Sequence, residues 1–65
     1  MSNYITLAEL EERIAAVREN IRELTEQAAA YSGAEDESRT AERIADEEQL
    51  LARLLKERDA LLKQA

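Results

Sequence analysis

Apolar residues recur along the first half of the chain in alternating steps of three and four positions. The stripe consists of Leu7, Leu10, Ile14, Val17, Ile21, Leu24, Ala28 and Tyr31. This heptad spacing predicts a helix over about 7–31 that buries one narrow seam against another helix. Thr6 and Glu9 fit a capping box at its start, and Ile5 with Leu10 fits the accompanying hydrophobic staple.

The connection between the helices is predicted around Gly33, the only glycine, because glycine adopts the left-handed conformation of a helix C-cap. Two starts of the second helix stay open. Ser32 can cap it after a very tight turn, or Asp36 or Ser38 can cap it after about five residues. The longer connection gives a turn over about 32–37.

A second helix is then expected over about 38–63. A short connection makes consecutive helices antiparallel neighbours. We therefore expect an all-α fold in which residues 1–65 form a single antiparallel, coiled-coil-like two-helix hairpin.

Leucines in the second helix come in adjacent pairs and form two neighbouring stripes. A doubled stripe of about 100° or more makes a broad apolar face, which one neighbouring helix does not cover. The hairpin is therefore expected to be completed by oligomerisation or by docking on a larger protein. The expected interface residues are Leu50, Leu54, Leu61, Leu51, Leu55, Leu62 and, at the end of the first stripe, Tyr31. Tyr31 has a second interpretation, as a plug at the end of the hairpin.

The register of the two helices depends on the connection. A tight turn places Ile21 opposite Ile44, whereas a longer loop places it opposite Leu51. In the tight register Glu48 falls in the seam, and Arg58 occupies an equivalent position. Such a residue either fixes the register or oligomeric state, or extends its charged group to the edge of the seam.

Little in the composition points to catalysis. The 65 residues include no cysteine and no histidine, which excludes disulfides, thiolate metal sites and the commonest general base. Glu42 and Asp46 lie one helical turn apart and suit a weak cation site or an acid–base pair, although a solvated helix face explains them better. We expect a non-enzymatic protein with no catalytic, metal or cofactor-binding residues and no cofactor.

The net charge of −6 is unevenly distributed, with seven acids and two bases in residues 34–48. An acidic chain is a poor match for nucleic acid or an anionic membrane, so the expected partner is protein. The acidic segment supports an alternative function, as a small antitoxin- or inhibitor-like binder of a basic protein. Without a signal-like or membrane-spanning segment, the expected location is the cytoplasm or a virion, and not secretion by a signal peptide.

The layout also resembles small bacteriophage head–tail joining proteins of the lambda W type. The resemblance rests on the capped start Ile5-Thr6-Leu7-Ala8-Glu9, the connection Tyr31-Ser32-Gly33, and a second helix that enters through Ser38-Arg39-Thr40-Ala41 and continues from Ile44 to Leu55. The W-type fold has a small β-hairpin between its helices, whereas residues 32–43 lack the β-branched alternation for one. The resemblance implies a virion or assembly component that acts as an oligomeric ring or plug, and it transfers no functional residue.

Overall fold

Two helices account for nearly all of the described chain. The computed structural model describes residues 5–30 and 34–64, with side chains in the second range from residue 38 onward. Helix α1 covers Leu7–Ala30 and helix α2 covers Ala34–Gln64. Contacts from Asn20 to Glu47 and from Arg58 to Glu11 show that the helices run antiparallel. The predicted all-α hairpin is confirmed, and the described ranges contain no strand.

The start of α1 is fixed by its cap. The Thr6 hydroxyl accepts a hydrogen bond from the Glu9 amide at 3.1 Å, and the Leu10 amide donates to the Thr6 carbonyl at 2.9 Å. Ile5 packs against the core that contains Leu10, as the hydrophobic staple requires. Helix α1 is described as far as Ala30, and Tyr31 lies outside the described residues.

Helix α2 begins at Ala34, four residues before the boundary expected near Ser38. This start agrees with the tighter of the two connections. Acidic residues are favoured in a first helical turn because they face its partial positive charge, so the run 35–37 suits the helix better than a turn. The 31 residues of α2 span roughly 46 Å at about 1.5 Å per residue, which accounts for the 47 Å length of the molecule.

The core is concentrated in one half of the hairpin. Its four buried residues are Leu10, Ile14, Val17 and Leu54. Partly buried residues pack around them: Ile5, Ile21, Leu50, Leu51, Leu55 and Leu61. We call residues 5–17 with 50–64 the open half, and residues 20–30 with 38–47 the turn half. All four buried residues lie in the open half.

The observed register falls between the two that were expected. The tight turn would place Asn20 near residue 45 and the longer loop near residue 52, but its partner is Glu47. This shift corrects the prediction for Glu48, which is exposed, whereas Glu47 is half-buried at the seam. Arg58 is half-buried, as the polar-seam prediction required.

Candidate protein interface

The hairpin is a single layer of two helices, 14 Å thick, and therefore has two broad sides. Leu51, Leu55, Arg58 and Leu62 follow each other at helical spacing and form one stripe of α2. The Arg58 guanidinium donates to Glu11 of α1 at 3.2 Å, which places this stripe beside the α1 side that carries Glu11. We call this side the leucine face.

Leu7 adds a fourth leucine to the leucine face. It precedes Glu11 by one helical turn and lies level with Leu62, because the Glu11–Arg58 contact fixes the register there. Leu7 and Leu62 are the exposed large hydrophobic residues of the described chain, with exposed fractions of 41% and 52%. Sequence reasoning missed Leu7 because it assigned every member of the first stripe to the seam.

The opposite side of the hairpin is polar. A shallow groove there is lined by Asn20, Glu23, Leu24, Gln27, Arg43 and Glu47. A hydrogen bond of 3.1 Å from the Asn20 amide to the Glu47 carboxylate crosses between the helices on this side. We call it the polar face. Leu50 and Leu61 lie on this side of α2 at helical spacing from Arg43 and Glu47 and are half-buried, whereas the exposed Leu7 and Leu62 both lie on the leucine face.

The predicted interface leucines divide into three groups. Leu54 is buried in the seam of its own hairpin and is not available to a partner. The others of the two stripes, Leu50, Leu51, Leu55 and Leu61, are partly buried against the same core and keep part of their surface exposed. Leu62 is about half exposed to solvent. Tyr31, the last predicted interface residue, lies outside the described residues.

Charged groups border the leucine face on α1. Glu11, Ala15, Arg18, Glu19, Arg22 and Arg58 line a shallow groove together with Ile14. Arg22 forms ion pairs with Glu19 and Glu26. The hydrogen bond and the charge of Arg22 lower the pKa of the Glu19 carboxyl, and Glu19 in turn raises the pKa of Arg22. Arg18 has no ion-pair partner among the described residues.

Arg58 sits at the inner edge of the leucine face. One of its terminal nitrogens bonds to Glu11, but its Nε is buried without a hydrogen-bond partner among the described residues. A buried donor without a partner costs about 1–3 kcal/mol. Arg58 therefore places one charged side chain, held by Glu11, within the row of leucines on α2.

The remaining grooves offer little for chemistry. Glu42 and Asp46, which the sequence suggested as a weak cation site or an acid–base pair, line a shallow groove together with Arg39 and Arg43. The two arginines place positive charge beside both carboxylates. Within residues 5–30 and 34–64, no cluster of three potential metal ligands is found. In the same ranges, neither helix has the length and apolar character needed to cross a membrane.

Comparison of the chain with models of known protein families, with curated proteins and with solved structures found no match.

Proposed function

We propose that this protein is a non-enzymatic structural or assembly module that associates with a second copy of itself through the leucine face. The observation that supports it is that both exposed large hydrophobic residues of the described chain, Leu7 and Leu62, lie on this face beside the partly covered Leu51 and Leu55. Single exposed leucines are ordinary, but several on one side, bordered by charges, are typical of protein interfaces.

The size of the exposed surface favours a partner as large as the hairpin. The chain exposes 5399 Å², whereas a compact 7.4 kDa domain exposes about 4200 Å². Its radius of gyration is 14.9 Å, compared with about 11 Å for a compact chain of 65 residues. The excess of about 1200 Å² exceeds the surface, about 800 Å² per partner, that a standard interface buries. A second copy laid on the leucine face would remove this excess.

Sedimentation equilibrium of the wild type and of Leu7→Glu/Leu62→Glu tests the proposal. Both leucines are exposed, so their replacement leaves the hairpin core intact, whereas Leu54→Glu would unfold it. We expect the wild type to sediment above the 7.4 kDa monomer mass and the double variant to sediment as a helical monomer.

Ala16→Glu/Ala60→Glu provides the matched control, because it adds the same charge at two exposed positions away from the leucine face. This variant should associate like the wild type. A wild type that stays monomeric at millimolar concentration would contradict the proposal, as would equal dissociation of the two double variants.

The layout resemblance to lambda W-type proteins suggests a bacteriophage virion as the setting of such an assembly, with the hairpin as part of a ring or plug. Only the two helices support this resemblance, because α2 is already helical at Ala34, where the W-type fold has a β-hairpin. A ring requires more than two copies, so a strict dimer in the sedimentation experiment would exclude the ring.

The alternative function is an acidic regulatory binder, supported by the charge of residues 34–48. In the described part of this segment, Arg39 and Arg43 share a groove with Glu42 and Asp46 and offset part of that charge. Reversing Glu35, Asp36 and Glu37 to lysine should abolish binding to a basic partner if this alternative is correct. Binding that is indifferent to the reversal would exclude it.

A further inference from the structure

We infer that two hairpins pair with their open ends together, so that α1 of each copy lies over α2 of the other and Arg18 meets Glu48 of the second copy. This inference rests on the proposed function and specifies its geometry. The pair has one two-fold axis, parallel to the helices, and is an antiparallel four-helix bundle.

The position of the exposed leucines favours this arrangement. Leu7 and Leu62 lie at the same end of the hairpin, and Leu51 and Leu55 lie in the same half. Open halves must therefore cover each other if all four leucines are to be buried. A two-fold axis along the helices achieves this over the full 47 Å of the molecule, because it keeps the ends aligned.

The same axis places oppositely charged residues together. Glu48 belongs to the Leu51 and Leu55 stripe and is exposed on the outer edge of α2. The Asn20–Glu47 contact sets Glu48 level with the segment of α1 between Arg18 and Arg22. When α1 of the second copy lies over α2, these two arginines border Glu48, and Arg18 has no partner within its own described chain.

The other two-fold arrangement, with the hairpins reversed end to end, is less favourable. It places α1 over α1, which brings the Arg18 side chains of the two copies close together near the middle of the molecule. It also sets Leu7 and Leu62 against the turn half of the second copy. Like charges in an interface disfavour an arrangement by several kcal/mol.

A heterodimer experiment tests the proposed pairing. Arg18→Glu and Glu48→Lys each create two repulsive contacts in a homodimer, so each variant alone should dimerise at least tenfold more weakly than the wild type. Mixing the two variants in equal amounts restores one wild-type pair and forms one reversed pair. The mixture should therefore dimerise with nearly wild-type affinity, which analytical ultracentrifugation measures.

Controls on the polar face separate this effect from net charge. Arg13→Glu and Asp46→Lys make the same charge changes at exposed positions in line with the polar groove, and each should dimerise like the wild type. Mixing rescues only contacts between copies, because a contact within one chain would stay broken in both variants. A wild-type dimer whose variant mixture stays monomeric would overturn the pairing and leave the self-association intact.

A distance measurement gives an independent readout. The chain has no cysteine, so Lys63→Cys introduces a single labelling site, at an exposed position near the open end on the side of α2 opposite the seam. With the ends aligned, two spin labels on diagonally opposed helices should lie about 20–30 Å apart, since neighbouring helices pack about 8–10 Å apart. A separation near ~40 Å, about twice the distance along the helix from Lys63 to the middle of the molecule, would overturn the pairing.

Discussion

The open half and the turn half of the hairpin have the same helices but different seams. The open half contains every buried residue of the described chain, with Leu10 fully buried on α1 and Leu54 buried on α2. In the turn half the seam positions Ile21, Leu24 and Ile44 are only half-buried, and Glu47 lies among them. The α1 heptad stripe is therefore packed differently in the two halves, because the α2 residues opposite it are partly polar in the turn half and mostly leucine in the open half.

This difference implies that the open half supplies the stability of the hairpin. Leu10→Ala should destabilise the protein by about 3 kcal/mol, since a fully buried leucine loses both its apolar contacts and the volume it fills. A core of this size supplies only ~3–5 kcal/mol in total, so the variant should retain at most about 2 kcal/mol and unfold at a much lower urea concentration. Urea denaturation followed by circular dichroism, at one fixed protein concentration, measures the loss.

Leu24→Ala is the matched control in the turn half. Leu24 belongs to the same α1 stripe but is half-buried, so its removal should destabilise the protein by about 1 kcal/mol. Equal losses from the two substitutions would show that the halves contribute equally and would contradict the comparison.

The seam of the turn half should become more stable when its charged residue is replaced. Glu47→Leu would extend the leucine stripe of α2 into the turn half, and we expect about 1 kcal/mol of stabilisation because apolar groups replace a partly desolvated charge. Amide hydrogen exchange should then slow for α1 residues near Leu24. Asn20, which is exposed, can bond to water in place of Glu47.

Glu42→Leu separates the effect of the seam from a general gain in apolar character or helix propensity. Glu42 is exposed on the same helix, so its replacement should change stability by less than about 0.5 kcal/mol. Slower amide hydrogen exchange in both variants would mean that added apolar character or helix propensity, and not the place of residue 47 in the seam, causes the stabilisation.

The helices and the antiparallel hairpin could be predicted from the sequence because they depend on local and periodic signals. Thr6, Glu9 and the heptad stripe each act within a few residues, and the structure shows the cap at the predicted place. The register could not be predicted in this way, because it depends on where α2 begins. Because the observed register differs by a few residues from the tight one, Glu47 lies at the seam in place of Glu48.

The candidate interface was predicted in part. The spacing of the leucines indicated that α2 has more apolar surface than one neighbour covers, and Leu62 is indeed exposed. It could not show that Leu54 is buried within the hairpin or that Leu7 is exposed. Both outcomes depend on how far the ends of the two helices overlap, which is a property of their packing and not of either stripe.

With few core contacts, α1 in the turn half depends more on local interactions, and the ion pairs of Arg22 are the clearest of these. Arg22 lowers the pKa of Glu19 below the ordinary value of 4.5. A carboxyl whose pKa is lowered on folding stabilises the helix at pH values above its unfolded pKa. That contribution is lost as the pH falls below 4.5 and through the lowered folded pKa.

Arg22→Gln should therefore return the titration midpoint of the Glu19 carboxyl towards 4.5, as followed by carbon NMR of its side chain. Helicity of α1 should fall slightly at pH 7, since both Glu19 and Glu26 lose their partner. It should also lose the part of its acid sensitivity that comes from Glu19. Arg18→Gln removes a neighbouring positive charge without breaking either ion pair and should leave the midpoint in place. If the two variants shifted the Glu19 midpoint equally, the general charge of α1, and not the bond to Arg22, would set that pKa.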